Sequence, residues 1–133
     1  MRAEGKGKPI TFVLTPGEAH DAPVFEQLME QGAIKRRGRG RPRRLPGRVA
    51  ADKGYSSGKI RRYLRKRGVG VTIPRKSNER HRGRFDKEVY RLRNMVERLF
   101  NRLKQYRRIA TRYEKVAENY RAMLVVASIL LWL

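Results

Sequence analysis

Tyr90, Arg93, Glu97 and Lys104 stand at offsets of three, seven and fourteen positions. On a helix advancing about 100° per residue they fall within a wedge of roughly 60° and share one face. On the same wheel Val89, Leu92, Val96, Leu99, Phe100 and Leu103 form an adjoining apolar arc, so the stripe runs along the border between core and solvent. Side chains there are both held and reachable. Arg and Lys suit phosphate, as fork and point-charge partners, and a carboxylate suits a hard cation. The pattern also fits an ordinary amphipathic helix with a solvated charged face. A second carboxylate stands out by its surroundings. Between residues 35 and 84 the only acids are Asp52 and Glu79, and an acid in so basic a stretch weakens phosphate attraction unless it holds a metal. With no cysteine and only His20 and His81, thiolate and histidine-rich sites are excluded, so any metal must be held by carboxylates.

The 133 residues suit one domain, expected over 1–133, and their formal charge is +22, from 34 Lys plus Arg against 12 Asp plus Glu. A polyanion is the natural counterpart of such an imbalance, and nucleic acid is the first partner to expect. No membrane partner is expected, because the longest apolar run, residues 122–133, is about half of the ~20 residues a span needs. A buried terminal helix accounts for that run better. Residues 1–8 are polar and basic, without a secretory signal, so a cytoplasmic, nucleoid-associated location is expected.

The elements that must position these residues can be read in order. Ile10-Thr11-Phe12-Val13-Leu14-Thr15, closed by Pro16-Gly17, reads as a buried strand. Asp21 then reads as the N-cap of a helix bearing Val24, Phe25, Leu28 and Met29 before Gly32. Residues 35–44 hold seven basic residues in ten among Gly38, Gly40 and Pro42, and a basic loop over about 35–47 is expected to be exposed and mobile. Val49-Ala50-Ala51 reads as a strand with Asp52 at its carboxyl end. A helix capped by Ser56 or Ser57 follows through Ile60, Tyr63 and Leu64, and then a second short strand through Val69, Val71 and Ile73, stopped by Pro74. Strand, helix, strand implies parallel pairing through a right-handed crossover, with ligands gathering near Asp52. A second basic loop is expected over 75–84, a long helix over 85–106 and an apolar one over 116–133.

Tyr-x2-Arg-x3-Glu-x6-Lys resembles the signature of a large group of bacterial insertion-sequence DDE transposases, and the likeness extends to three further blocks in the usual order. These are Phe12-Val13-Leu14-Thr15-Pro16-Gly17 with Ala19-His20-Asp21, then Ala51-Asp52-Lys53-Gly54-Tyr55-Ser56, and the terminal Ala127-Ser128-Ile129-Leu130-Leu131-Trp132-Leu133. The resemblance implies an α/β, ribonuclease-H-like catalytic domain. Asp52 matches the second catalytic Asp and Glu97 the catalytic Glu, both ligands of a two-metal Mg²⁺ site. Paired metals there activate water or a 3′-hydroxyl and stabilise the leaving oxygen during in-line attack on a phosphodiester. Tyr90, Arg93 and Lys104 are implied to position transposon-end DNA.

The family's first catalytic Asp belongs to a strand upstream of Ile10, so the resemblance implies an incomplete fold: a few-stranded mixed sheet, flanking helices and two C-terminal helices. Such a chain is expected to be inactive alone, with the upstream half of the transposase, or a further copy of itself, as an expected partner beside transposon-end and target DNA. Arg39-Gly40-Arg41-Pro42 matches the core of an AT-hook, while related transposases carry a Gly-Arg-Pro-Arg loop here, so Arg39 and Arg41 are expected to touch DNA as a phosphate-contacting loop or a minor-groove hook. A solvated spacer fits the same residues. His20 is expected to make a local hydrogen bond, and Trp132 to pack in a core or against a subunit. A non-catalytic basic DNA-binding module is the alternative, and it predicts the same salt-sensitive binding.

Overall fold

A computed structural model describes residues 1–20, 22–80 and 83–133. In chain order the elements are β1 (Arg2–Ala3), β2 (Pro9–Thr11), α1 (Phe25–Gln31), β3 (Arg48–Ala50), α2 (Gly58–Lys66), β4 (Gly70–Thr72), α3 (Lys87–Arg91), α4 (Asn94–Lys104), α5 (Arg107–Ala110) and α6 (Ala117–Trp132). This is a mixed α/β protein. It divides into two compact units, one of residues 1–14 with 94–133 and the other of residues 15–93. Among the described residues the strands make two separate two-stranded ladders in place of a single mixed sheet, β1 with β2 antiparallel and β3 with β4 parallel.

In the unit of residues 15–93, the expected strand–helix–strand order is observed. β3 and β4 pair in register Arg48↔Gly70, Val49↔Val71 and Ala50↔Thr72, with α2 as the crossover. Ser57 starts α2 because its hydroxyl accepts from the Ile60 N–H at 3.1 Å, and Ile60, Tyr63 and Leu64 turn one face inward. Leu64, with no exposed surface, lies in a core with Phe25, Met29, Ile60, Tyr63, Val69 and Ile73, against which Val49 and Ala51 pack. Phe25 meets Tyr55 and Tyr63 at ring-centroid distances of 5.7 and 6.2 Å. α1 is preceded by a 3₁₀ turn, Ala22–Val24, and the capping role expected of Asp21 lies outside the described residues.

The segment 35–44 is exposed, as its charge dictates, but its base is fixed by an antiparallel bridge. Ile34 and Arg43 exchange backbone hydrogen bonds of 2.9 and 2.8 Å. Arg39 and Arg41 therefore sit on a closed loop that bends at residues 37–40, with Gly40 at φ 133°.

In the other unit, β1 and β2 form a hairpin that sequence reading missed, since residues 1–8 are polar. Gly7 turns it at φ 78°, and a Cβ there would stand 3.2 Å from Met95 Cβ, so the position requires glycine on two counts. Beside it Leu99, Leu103, Ile109, Leu124 and Ala127 form a core that Phe12 and Met123 complete. The Trp132 indole N–H donates to the Pro9 carbonyl at 2.7 Å while its ring lies under Lys8 Nζ, 5.0 Å away, which ties the last turn of α6 to β2. Replacing Trp132 by Phe keeps an aromatic ring but deletes the donor and part of the ring, so a loss of at least about 1 kcal/mol in denaturant unfolding is expected.

Two helical expectations need correction. In place of one helix over 85–106 there are α3 and α4, separated at Leu92 and Arg93. There the amides of Leu92 and Arg93 bond three residues back, to the Val89 and Tyr90 carbonyls at 3.1 and 3.0 Å, which tightens the turn and ends α3. α6, expected to be buried, buries only Leu124, Ala127 and Ser128, while Val125, Val126, Ile129 and Leu130 are about half exposed, because it is covered on one side. Among the described residues no helix is long and apolar enough to cross a membrane.

Candidate nucleic-acid and metal-binding site

Asp52 lies one residue, Ala51, beyond the end of β3 and is held by its own turn. Its Oδ1 accepts from the Gly54 N–H at 2.9 Å, capping the 3₁₀ turn Lys53–Tyr55, and its residue is solvent-exposed. No partner of Oδ2 occurs among the described residues, so one oxygen is fixed and the other faces solvent. The turn is anchored on both sides. Behind it Ala51 and Tyr55 pack on the core, and Ser56, 3% exposed, donates its hydroxyl to Glu79 Oε2 at 2.7 Å.

Glu79 is the residue that sequence reading undervalued. The segment beyond β4 was expected only as a second basic loop over 75–84, and within it Glu79 gathers Ser56, Arg61 at 3.6 Å and Arg75 at 3.9 Å. The Arg61 guanidinium also donates to Ser56 Oγ at 2.8 Å and to the Ile73 carbonyl at 3.0 Å. The hydrogen bond from Ser56 holds the Glu79 carboxyl below its usual range, against the opposing effect of burial, with further help from Arg61. Burial lowers the Arg61 pKa from its ordinary value, and Arg75 adds to this, while Glu79 opposes it. Because the folded Glu79 pKa is depressed, its stabilisation is fully present above the ordinary carboxylate value of about 4.5 and is lost as pH falls through the lower folded value. Glu79→Gln should therefore flatten the acid limb of the stability curve below about pH 4.5, measured by urea unfolding across pH.

The stripe expected on one helix face is divided between the two units, two members in each. In the unit of residues 15–93, Arg93 lies over the Tyr90 ring, 5.5 Å from its centroid, and the Phe85 ring meets Tyr90 at a centroid distance of 5.3 Å. Asp86 caps α3 through the Val89 N–H at 3.0 Å and pairs with Arg48 of β3, also at 3.0 Å, so the Tyr90–Arg93 pair is referred to the parallel strands. In the other unit, Glu97 lies in the first turn of α4, where the helix dipole favours a carboxylate, and Lys104 in its last. Seven residues apart, both project to the exposed side, while Leu99 and Leu103 hold the opposite face in the core. Arg102 donates to the Gly7 carbonyl at 3.3 Å, which ties α4 to the turn of the hairpin. Asp52 thus belongs to one unit and Glu97 to the other.

Both acids offer the hard oxygen donors that a divalent cation takes, and both are exposed to it. Among the described residues no three His, Asp or Glu side chains come together. His20 is exposed and His81 lies outside the described residues.

The family model for the transposase DDE domain matches residues 3–132, and the chain belongs to that family. It is 31% identical over 121 residues, 91% of its length, to a Burkholderia cepacia protein described as "Putative transposase for insertion sequence element IS402". It is 28% identical over 131 residues to a Brucella ovis protein described as "Putative transposase for insertion sequence element IS6501". The matches span 55% of the first relative and 90% of the second, so the chain covers about half the length of the one and nearly all of the other. No solved structure matches it.

Proposed function

We propose that the chain acts on DNA in insertion-sequence transposition, as part of a ribonuclease-H-like DDE catalytic domain, supplying two of its metal-binding carboxylates, Asp52 and Glu97. The observation that carries the reading is the presentation of Asp52. One of only two acids in a strongly basic stretch stands just beyond the carboxyl end of a parallel strand, exposed, with one oxygen fixed by Gly54. When bound, a pair of Mg²⁺ ions supplies charge stabilisation for in-line attack on a phosphodiester. Asp52 and Glu97 hold the ions in this reading. Tyr90, Arg93 and Lys104 orient the transposon end, and Arg39 and Arg41, on their bridged loop, take further phosphates of transposon or target DNA. In this reading the third carboxylate is supplied from outside residues 1–133.

Paramagnetic Mn²⁺ tests the metal assignment without any activity. Titrated into the protein, it should broaden the amide signals of Lys53 and Gly54 and of the first turn of α4, and Asp52→Asn should abolish the first effect. Broadening that ignores both acids would leave only a basic DNA-binding module. With two of three carboxylates, the chain alone should not cleave transposon ends in Mg²⁺. Cleavage that disappears in Glu97→Ala would refute this.

A further inference from the structure

A cleft of about 510 Å³ lies between α2, the end of β4 and the segment around Phe85, within one unit and built on none of the residues assigned above. Its size is that of a small-molecule site. Its lining is of two kinds. Arg61, Arg65, Arg75 and Arg84 supply positive charge, and Val71, Ile73, Pro74 and Phe85 supply an apolar floor. Glu79 engages Arg61 and Arg75, and the first of these, its side chain only 12% exposed, forms a fixed wall with Nε buried and unpartnered. Arg65 and Arg84 have no anionic partner among the described residues, and Phe85 is 39% exposed, its ring tilted against that of Tyr90.

The chemistry selects the occupant. An inorganic anion has no use for the apolar floor, and an apolar ligand would leave the arginines unpaired at a cost. A nucleotide satisfies both, its phosphate on Arg65 and Arg84 and its base over Phe85. Bases inside a duplex are stacked and out of reach, so the occupant must be unpaired. We infer that this cleft receives a single unpaired nucleotide of a DNA strand. The inference rests on the reading of the chain as DNA-acting, and it assigns a strand feature to be recognised.

Three duplexes of one sequence separate the possibilities by fluorescence anisotropy in about 50 mM salt. The first is fully paired, the second carries one unpaired adenosine nucleotide, and the third carries an abasic residue at that place, which keeps the phosphate and removes the base. The base-bearing DNA should bind about tenfold more tightly than either other, the scale of one base on one aromatic ring. Phe85→Leu, which preserves apolar packing, should erase that difference. Arg65→Ala with Arg84→Ala should likewise erase it. Equal binding of the base-bearing and abasic DNAs, or a preference that survives Phe85→Leu, overturns the inference while the DNA-acting reading stands. Failure to bind any of the three overturns that reading as well.

Discussion

Raising salt from 50 to 200 mM should cost the protein about a thousandfold or more in affinity for duplex DNA, provided it neutralises six or more phosphates. Each cationic contact releases condensed counterions, so log affinity falls linearly with log salt at a slope near −0.9 per phosphate. The +22 charge makes such a count attainable, and the exposed loop of residues 35–42, held at its base by the Ile34–Arg43 bridge, concentrates part of it. Replacing Arg39 and Arg41 by Ala should reduce the slope by about two units if both side chains sit on phosphates. An unchanged slope would remove them from the interface. A shallow slope for the wild-type protein, corresponding to one or two phosphates, would contradict DNA as the main partner.

Leu64→Ala should be the most damaging single truncation in the unit that carries Asp52. Leu64 has no exposed surface and lies between α1 and the parallel strands, so its removal opens a cavity that close-packed neighbours fill only in part. A loss of about 3 kcal/mol, lowering the melting temperature by roughly 10 °C, is expected. Because β3 and Tyr55 rest on the same core, the Asp52 turn should lose its fixed geometry before the unit unfolds, seen as loss of amide protection at Tyr55 and Ser56. A change below 1 kcal/mol would mean that this core does not hold the turn.

The parts of the molecule that could be read from residues alone are those set by near neighbours. β3, α2 and β4 follow from alternation, a serine cap and a proline stop, all within a few positions, and the structure has them in that order. The exposure of residues 35–44 follows from like-charge repulsion. What was missed depends on partners far along the chain or on small backbone adjustments. β1 is a strand only because Pro9–Thr11 pairs with it, and α5 is a four-residue turn stabilised by burying Ile109 beside Leu124. The division of one periodic segment into α3 and α4 turns on two i−3 hydrogen bonds that leave the apolar spacing unchanged, so periodicity could not have shown it. Glu79 joins Ser56 across twenty-three positions, and the only hint was its rarity as an acid between residues 35 and 84. At the candidate site, Asp52 at the end of a strand and the closeness of Tyr90 to Arg93 were both legible. The commitment of Arg102 to Gly7 was not, because a surface arginine gives no sign of which carbonyl it will find.

The hydrogen bond from Trp132 to Pro9 spans 123 positions and closes a unit whose two stretches of chain flank the whole of the other. During synthesis, residues 15–93 can collapse as an uninterrupted stretch, while the opening hairpin must wait for the last helix to leave the ribosome before its own core exists. Contacts of such long range make this closure the slow, topologically demanding step, and the first fourteen residues are exposed to proteases and to wrong pairings until it is complete.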